Sequence, residues 1–294
     1  MIDFLKYKSA CIFFSLVLIA SGVVAYFMQG GFKYAIDFAG GAEINISFEK
    51  SIDIGVLRDA ISSQGWQDSV IQSVGKDGKN FIVKLGGVTV EGLEDKFRMA
   101  VDAATPGNTM TVNHIDWIGA EVGKDMKKNA IFAVLLSILA ILLYVAIRSK
   151  FAYGVGAVVA LCHDMLAVLV CILLFKEQMS LSVLAAILAI LGYSINDTIV
   201  IFSRIRDNVK KMKDHTLNDI VNVSINQTLR RTLLTSFATL LSVIAFYVLG
   251  GESLRGFSFV MMLGIIFGTY SSIYIASPVM IYIEQRAAHK KEVL

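Results

Sequence analysis

Four ionisable side chains sit in or against long apolar stretches, and each needs a reason to be there. Asp197 lies deep in one such run, within Gly192-Tyr193-Ser194-Ile195-Asn196-Asp197-Thr198; His163 and Asp164 are neighbours in another; Arg231 opens a third. A charge at the centre of a membrane helix costs about 2.5 to 3.5 kcal/mol on insertion scales. Beyond Arg231, Thr235, Ala238 and Ser242 recur at a spacing of three or four, with Thr239 beside them, which places them along one helical face. A carboxylate and a guanidinium on neighbouring helices would naturally pair. Desolvation and a permanently protonated Arg act on such an Asp in opposite directions, so the group can respond to protons. The membrane field can supply the work, about 2.3 kcal/mol per charge per 100 mV. The same residue types also suit a static ion pair or a satisfied polar cluster. For Asp164 and His163, hydrogen bonding across a bundle or nearness to a helix end serves equally well.

The elements that carry these residues follow from composition. Of 294 residues, 55% are hydrophobic and 17% charged, with mean hydropathy +0.65. Soluble domains hold roughly a quarter charged residues, so the chain points to lipid. Crossing about 30 Å of hydrocarbon takes about 20 helical residues. Six stretches qualify, at 10–27, 130–147, 151–175, 181–202, 233–249 and 257–283. The first, preceded by Lys6 and Lys8, reads as an uncleaved anchor because its apolar run is long and no A-x-A site follows. Lys and Arg near span ends mark the cytoplasmic side. They cluster at the N-terminus, at Arg148 and Lys150, at Arg204, Arg206, Lys210, Lys211, Lys213, Arg230 and Arg231, and in the tail at Arg286, Lys290 and Lys291. Both termini are therefore expected inside. Lys124, Lys127 and Lys128 run against the rule, from which long translocated domains are largely exempt. The expected organisation is 1–29 for the cytoplasmic N-terminus and first span and 30–128 for an extracytoplasmic domain. Residues 129–284 then hold spans two to six, with a basic cytoplasmic loop at 203–230, and 285–294 form a cytoplasmic tail.

In the outer segment the hydrophobic period alternates between two and about 3.6. Strands are expected at 43–48, 69–74, 81–85 and 109–117, and helices at 54–61 and 90–104, with a turn at Gly75-Lys76-Asp77-Gly78. The order βαββαβ suits a small two-layer ferredoxin-like α+β domain, a fold that does not itself specify an activity. His114 and Asp116 have no nucleophile at a readable spacing.

Small residues show where helices can approach. Ala185, Ala189, Gly192 and Asn196 lie along one side of the fourth span, and Gly264, Gly268, Ser272 and Ala276 step by four along the sixth, which reads as close packing within one bundle. Leu217, Ile220, Val221, Ile225 and Leu229 line a helix on the cytoplasmic surface that either transmits movement or rests on lipid headgroups. Cys11, Cys162 and Cys171 fall in apolar runs, with no disulfide framework or metal-ligand spacing. A net charge of +3 does not argue for nucleic acid. No phosphate-binding loop, nucleophile elbow or metal cluster is readable, so enzyme activity is the least supported class and nucleotide is expected to belong to a partner.

Several stretches closely resemble the SecF family, membrane subunits of the bacterial SecDF protein-export accessory complex. They are Ile36-Asp37-Phe38-Ala39-Gly40-Gly41, the Gly192 to Thr198 run with Arg204-Ile205-Arg206, Gln227-Thr228-Leu229-Arg230-Arg231-Thr232-Leu233-Leu234-Thr235-Ser236, Gly250 to Phe257, and Gly268 to Tyr274. The resemblance covers nearly the whole chain. It implies six spans arranged as half of an RND-type transporter, with SecD supplying the other half. It also implies a place in the bacterial inner membrane beside the Sec channel, SecYEG, with YajC or YidC as companions and unfolded exported polypeptide as cargo. The cofactor is then the proton itself, with no nucleotide on this chain. Carried over, the family's proton-responsive Asp falls on Asp197 and its electrostatic partner on Arg231. Asn196, Thr235, Ser242, His163 and Asp164 are supporting polar positions, and Gly192, Gly264 and Gly268 packing positions. The Asp-Phe-x-Gly-Gly motif falls on Asp37, Phe38, Gly40 and Gly41, whose glycines would allow tight entry into the outer domain. Ser203 stands where many members have an acid. Two other readings stay open at this level, a scaffold subunit without proton coupling and an RND-like small-molecule efflux protein.

Overall fold

A computed structural model describes residues 1–67, 69–75, 77–88, 91–148 and 150–292. Lys76 in the expected turn and Val90 at the expected start of a helix lie outside the described residues, as do the side chains of Arg148, Glu252, Lys290 and Lys291.

The chain opens with helix α1 (Lys8–Gln29), an unbroken apolar run that stops at Gly30, whose left-handed φ of 74° lets its N–H close back on the Tyr26 carbonyl. A one-turn helix α2 (Ile36–Ala39) leads into the outer domain, made of β1 (Gly41–Phe48), α3 (Ile54–Ser63), β2 (Val70–Val74), β3 (Asn80–Gly86), α4 (Leu93–Ala104) and β4 (Met110–Ile118). The sheet order is β2-β3-β1-β4 with every neighbouring pair antiparallel, the split βαβ arrangement. Ala42, Ile44, Ile46 and Phe48 alternate inward along β1 and meet Leu57 and Ile61 of α3 and Phe97 and Val101 of α4 in one core. The βαββαβ order expected from periodicity is the observed one.

The remaining helices are α5 (Ala120–Arg148), α6 (Phe151–Leu174), α7 (Leu181–Lys211), α8 (Leu217–Leu249), α9 (Gly251–Ser271) and α10 (Ser277–Glu292). The last two are joined by a π-helical stretch at Ser272–Ala276 into one long helix. Six helices are long and apolar enough to cross a membrane, and together with the antiparallel sheet they give the expected fold class. Helix α6 is central: Ala157, Ala160, Leu161, Ala167, Val168 and Ile172 are buried, and it packs against α1, α5, α7, α9 and α10. Helices α5 and α8 instead turn large apolar side chains outward, among them Phe132, Leu135, Phe237 and Leu241.

Two expectations change. The basic segment at 203–230 is mostly helix, with α7 running to Lys211 and α8 starting at Leu217 behind the Thr216 cap, whose hydroxyl accepts from the Asp219 N–H at 3.2 Å. The amphipathic stretch from Leu217 is thus the first part of the fifth span rather than a separate surface helix. Its Val221 and Ile225 enter the bundle core beside Phe4 and Leu5, because their apolar face finds protein there. The N-terminus is fixed to it: Asn226 and Asn222 accept from the Ile2 and Phe4 N–H groups, each at 2.9 Å.

Candidate functional site

Two buried carboxyl groups face different surroundings. Asp164, fully buried on α6, is surrounded by donors. Its Oδ2 accepts from Ser194 Oγ of α7 at 2.6 Å and Ser271 Oγ of α9 at 2.8 Å, and its Oδ1 lies 3.1 Å from His163 Nδ1. His163 Nε2 contacts Ser15 Oγ of α1 at 2.9 Å, Ser15 contacts the Tyr270 hydroxyl at 3.0 Å, and Tyr270 donates to the Cys11 carbonyl at 2.6 Å. The adjacent His163 and Asp164 therefore hydrogen-bond across the bundle, joining four helices.

Asp197 is 3% exposed on α7. Among the described residues its hydrogen bond is a long one, 3.5 Å from Ser236 Oγ of α8. Ser236 is shared: Thr269 gives its proton to the Ile265 carbonyl at 2.9 Å, so it accepts from Ser236 at 2.8 Å. The Tyr193 hydroxyl also reaches Ser236, at 3.5 Å. Next along the helix from Asp197, Thr198 Oγ1 meets Ser272 Oγ at 2.9 Å, where the π-helical stretch begins.

The expected direct pair between Asp197 and Arg231 is not formed, since no ion pair joins them among the described residues. Arg231 is exposed on α8, and its charge acts on Asp197 only at a distance. The reason lies in the helix face. The inward stripe of α8 is Thr228, Thr232, Ser236 and Val243, rotated from the Arg231, Thr235, Ala238 and Ser242 stripe, and Ala238 and Ser242 are exposed while Thr235 is half-buried. The outward hydroxyls are satisfied within the helix: Thr235 donates to the Arg231 carbonyl at 3.0 Å and Ser242 to that of Ala238 at 3.2 Å. Arg231 lines an open cleft of about 400 Å³ with Ser203, Arg204, Asp207 and Gln227. Asp207, one turn beyond Ser203, brings a carboxylate to this cleft.

The packing positions divide in the same way. Gly264 and Gly268 lie against α7, where an added Cβ would come within 2.2 Å of Ile190 and 3.0 Å of Ser194. Gly192 is a correction: among the described residues a Cβ there meets nothing within 4 Å, and Ala185, Ala189, Gly192 and Asn196 are all exposed. Small-residue spacing marks a face suited to close approach without saying which neighbour approaches it.

The Asp-Phe-x-Gly-Gly segment forms the junction between domain and bundle. Asp37 Oδ2 accepts from the Leu181 N–H at 2.9 Å, capping α7, the helix that carries Asp197. The strand-like exchange of Met179 with Lys33 and Ala35, at 2.8 and 2.9 Å, holds the same join. Phe38 is buried, and Gly40, at φ 77°, passes so close to Ala120 that a Cβ would lie 2.9 Å from its Cα. Gly41 is tighter still, with the Leu85 carbonyl 2.1 Å from a Cβ position. Lys127, which ran against the charge rule, sits 3.8 Å over the Tyr34 ring.

The residues that sequence reasoning missed are hydroxyls, Ser15, Ser194, Ser236, Thr269, Ser271 and Tyr270. Their signal was present as polar residues recurring in otherwise apolar helices, but spacing within one helix does not show which acid on another they meet. Among the described residues no three His, Cys, Asp or Glu side chains converge as a metal site would require.

Fold and site together define a multi-pass membrane protein that keeps two carboxyl groups inside its helical bundle. A family model described as "Protein export membrane protein SecD/SecF, C-terminal" matches residues 99–286. The chain is 36% identical over 282 residues to the protein translocase subunit SecF of Pseudomonas aeruginosa, covering 96% of this chain and 91% of that one. It is 36% identical over 294 residues to the SecF of Thermodesulfovibrio yellowstonii, covering 99% and 97%. Among solved structures it is similar to SecDF of Thermus thermophilus, a translocon-associated membrane protein, with TM-score 0.79, 34% identity and coverage of 97% of this chain and 39% of that one. SecDF in a super-membrane-facing form gives 0.78 and 33%, with 99% and 40% covered. The chain belongs to the SecD/SecF family, as a SecF-type subunit of the protein translocase. It spans about two fifths of the SecDF chains.

Proposed function

We propose that this SecF-type subunit responds to the proton-motive force in the inner membrane, with a SecD subunit beside it, and so promotes export of unfolded polypeptide through the neighbouring Sec channel. Both termini lie in the cytoplasm and the 30–128 domain on the outer side. The observation that carries the reading is Asp197, a nearly buried carboxyl with, among the described residues, one long hydrogen bond and no cation in contact. Such a group has little to hold it in one charge state, and gaining or losing a proton there changes what α7 can pack against.

Two further features support a SecD neighbour. The small-residue stripe of α7 faces out of this chain, and Arg231 of α8 lines an open cleft whose polar walls suit a protein partner. A partner bringing polar groups there would bring Arg231 into play. Movement has a path outward, because Asp37 ties the cap of α7 to the entry of the outer domain.

In vesicles holding the translocase, Asp197→Asn should abolish proton-driven stimulation of export while co-purification with SecD stays unchanged. Full stimulation by that variant would remove Asp197 from the coupling.

A further inference from the structure

The chain of contacts around Asp164 fixes where its protons are. Tyr270 has one hydroxyl proton, and the Cys11 carbonyl, which can only accept, takes it at 2.6 Å. Ser15 must then be the donor in its 3.0 Å contact with Tyr270. With its only proton used, Ser15 can face His163 Nε2 at 2.9 Å only as an acceptor, so Nε2 carries a hydrogen. At the other end, Ser194 donates to Asp164 Oδ2, as does Ser271, for whose proton the Gly268 carbonyl at 3.2 Å is the longer alternative, leaving Oδ1 to face His163 Nδ1 at 3.1 Å. Two bare acceptors at that distance would repel inside a site where Asp164 is 0% and His163 6% exposed. One proton therefore lies between them, as a carboxylic acid beside neutral imidazole or as a carboxylate beside imidazolium.

We propose that His163 and Asp164 form a second proton-binding site of the membrane bundle, holding one shared proton between Nδ1 and Oδ1 at rest. The proposal goes beyond the Asp197 reading and does not rest on it. Only an N–H or O–H bond is made or broken: uptake gives the closed, overall neutral pair, and release leaves a carboxylate facing a bare ring nitrogen. Release therefore drives the two side chains apart and strains the contacts to α1, α7 and α9 together. Among the described residues, the other ionisable groups around the site are Cys11 on α1, Cys162 on α6, Tyr270 and, a turn further, Tyr274 on the last span, and Asp197 one turn from Ser194 on α7.

The test uses the full chain reconstituted with its SecD partner and labelled with ¹⁵N-histidine. The sequence has four histidines, and His163→Gln identifies the resonance of interest. The expected spectrum shows a protonated Nε2 and a strong hydrogen bond at Nδ1 that changes character in Asp164→Asn and survives in Asp197→Asn. A bare Nε2, or an Nδ1 signal indifferent to Asp164→Asn, would overturn the proposal. In Asp164→Asn the amide can still donate to Nδ1 and its carbonyl can still accept from both serines, so assembly should hold while proton-driven export falls at least tenfold. Unchanged export in a well-assembled variant would reduce the pair to a packing element. Should that variant assemble poorly, the wild-type spectrum decides alone. Failure of the Asp197 experiment would leave these readouts standing.

Discussion

Two aspartates of one chain illustrate how surroundings, not residue type, set the use of an intramembrane acid. Asp164 is solvated by protein: two serines and a histidine replace the water it lost. Asp197 is not, since Ser236 gives its better contact to Thr269. Removing one donor from each should therefore differ in cost. Ser194→Ala deprives a fully buried carboxyl of a 2.6 Å bond and should destabilise by about 1 to 3 kcal/mol, whereas Ser236→Ala should cost under about 1 kcal/mol. Thermal unfolding in mild detergent measures both, and equal losses would contradict this account. Both acids were legible in the sequence, because a charge in an apolar run stands out against its expense. Their hydroxyl partners were not, because a serine is cheap in a membrane helix and becomes informative only when a second helix is laid against it.

At the scale of elements, periodicity gave each helix a set of faces without an orientation. The small stripe of the last span lies against α7, where its glycines meet Ile190 and Ser194. The matching stripe on α7 faces outward, and on α8 the inward polar line is Thr232 and Ser236 rather than Thr235 and Ser242. Overpacking should expose the difference. Gly264→Ala places a methyl 2.2 Å from Ile190 and should cost about 1 to 3 kcal/mol, partly recovered by Ile190→Ala in the same chain. Gly192→Ala should cost the chain no stability, since among the described residues nothing lies within 4 Å. Unfolding of the three variants, measured without SecD, separates buried from outward positions.

For the whole molecule, the join between outer domain and bundle matters most. It is made by polar contacts at the start of α7 and by glycines that allow backbone to touch backbone. The sequence suggested a tight entry at Gly40 and Gly41, but that Asp37 would cap a helix more than 140 positions away depends on the fold alone. Asp37→Ala removes that cap at a cost of about 1 kcal/mol. It should leave the outer domain folded while broadening the distance distribution between spin labels on β4 and on the outer end of α7. An unchanged distribution would mean that the Met179 exchange and the glycine contacts hold the join without it.

The π-helical stretch at Ser272–Ala276 gives the last span one residue more than ordinary winding requires. Drawing that surplus in would swivel Ser277–Glu292 by about 100° against the glycine seam above it. A rod with slack wound into it can change its aim without fraying, and here the slack lies beside Thr198, one step along the helix from Asp197.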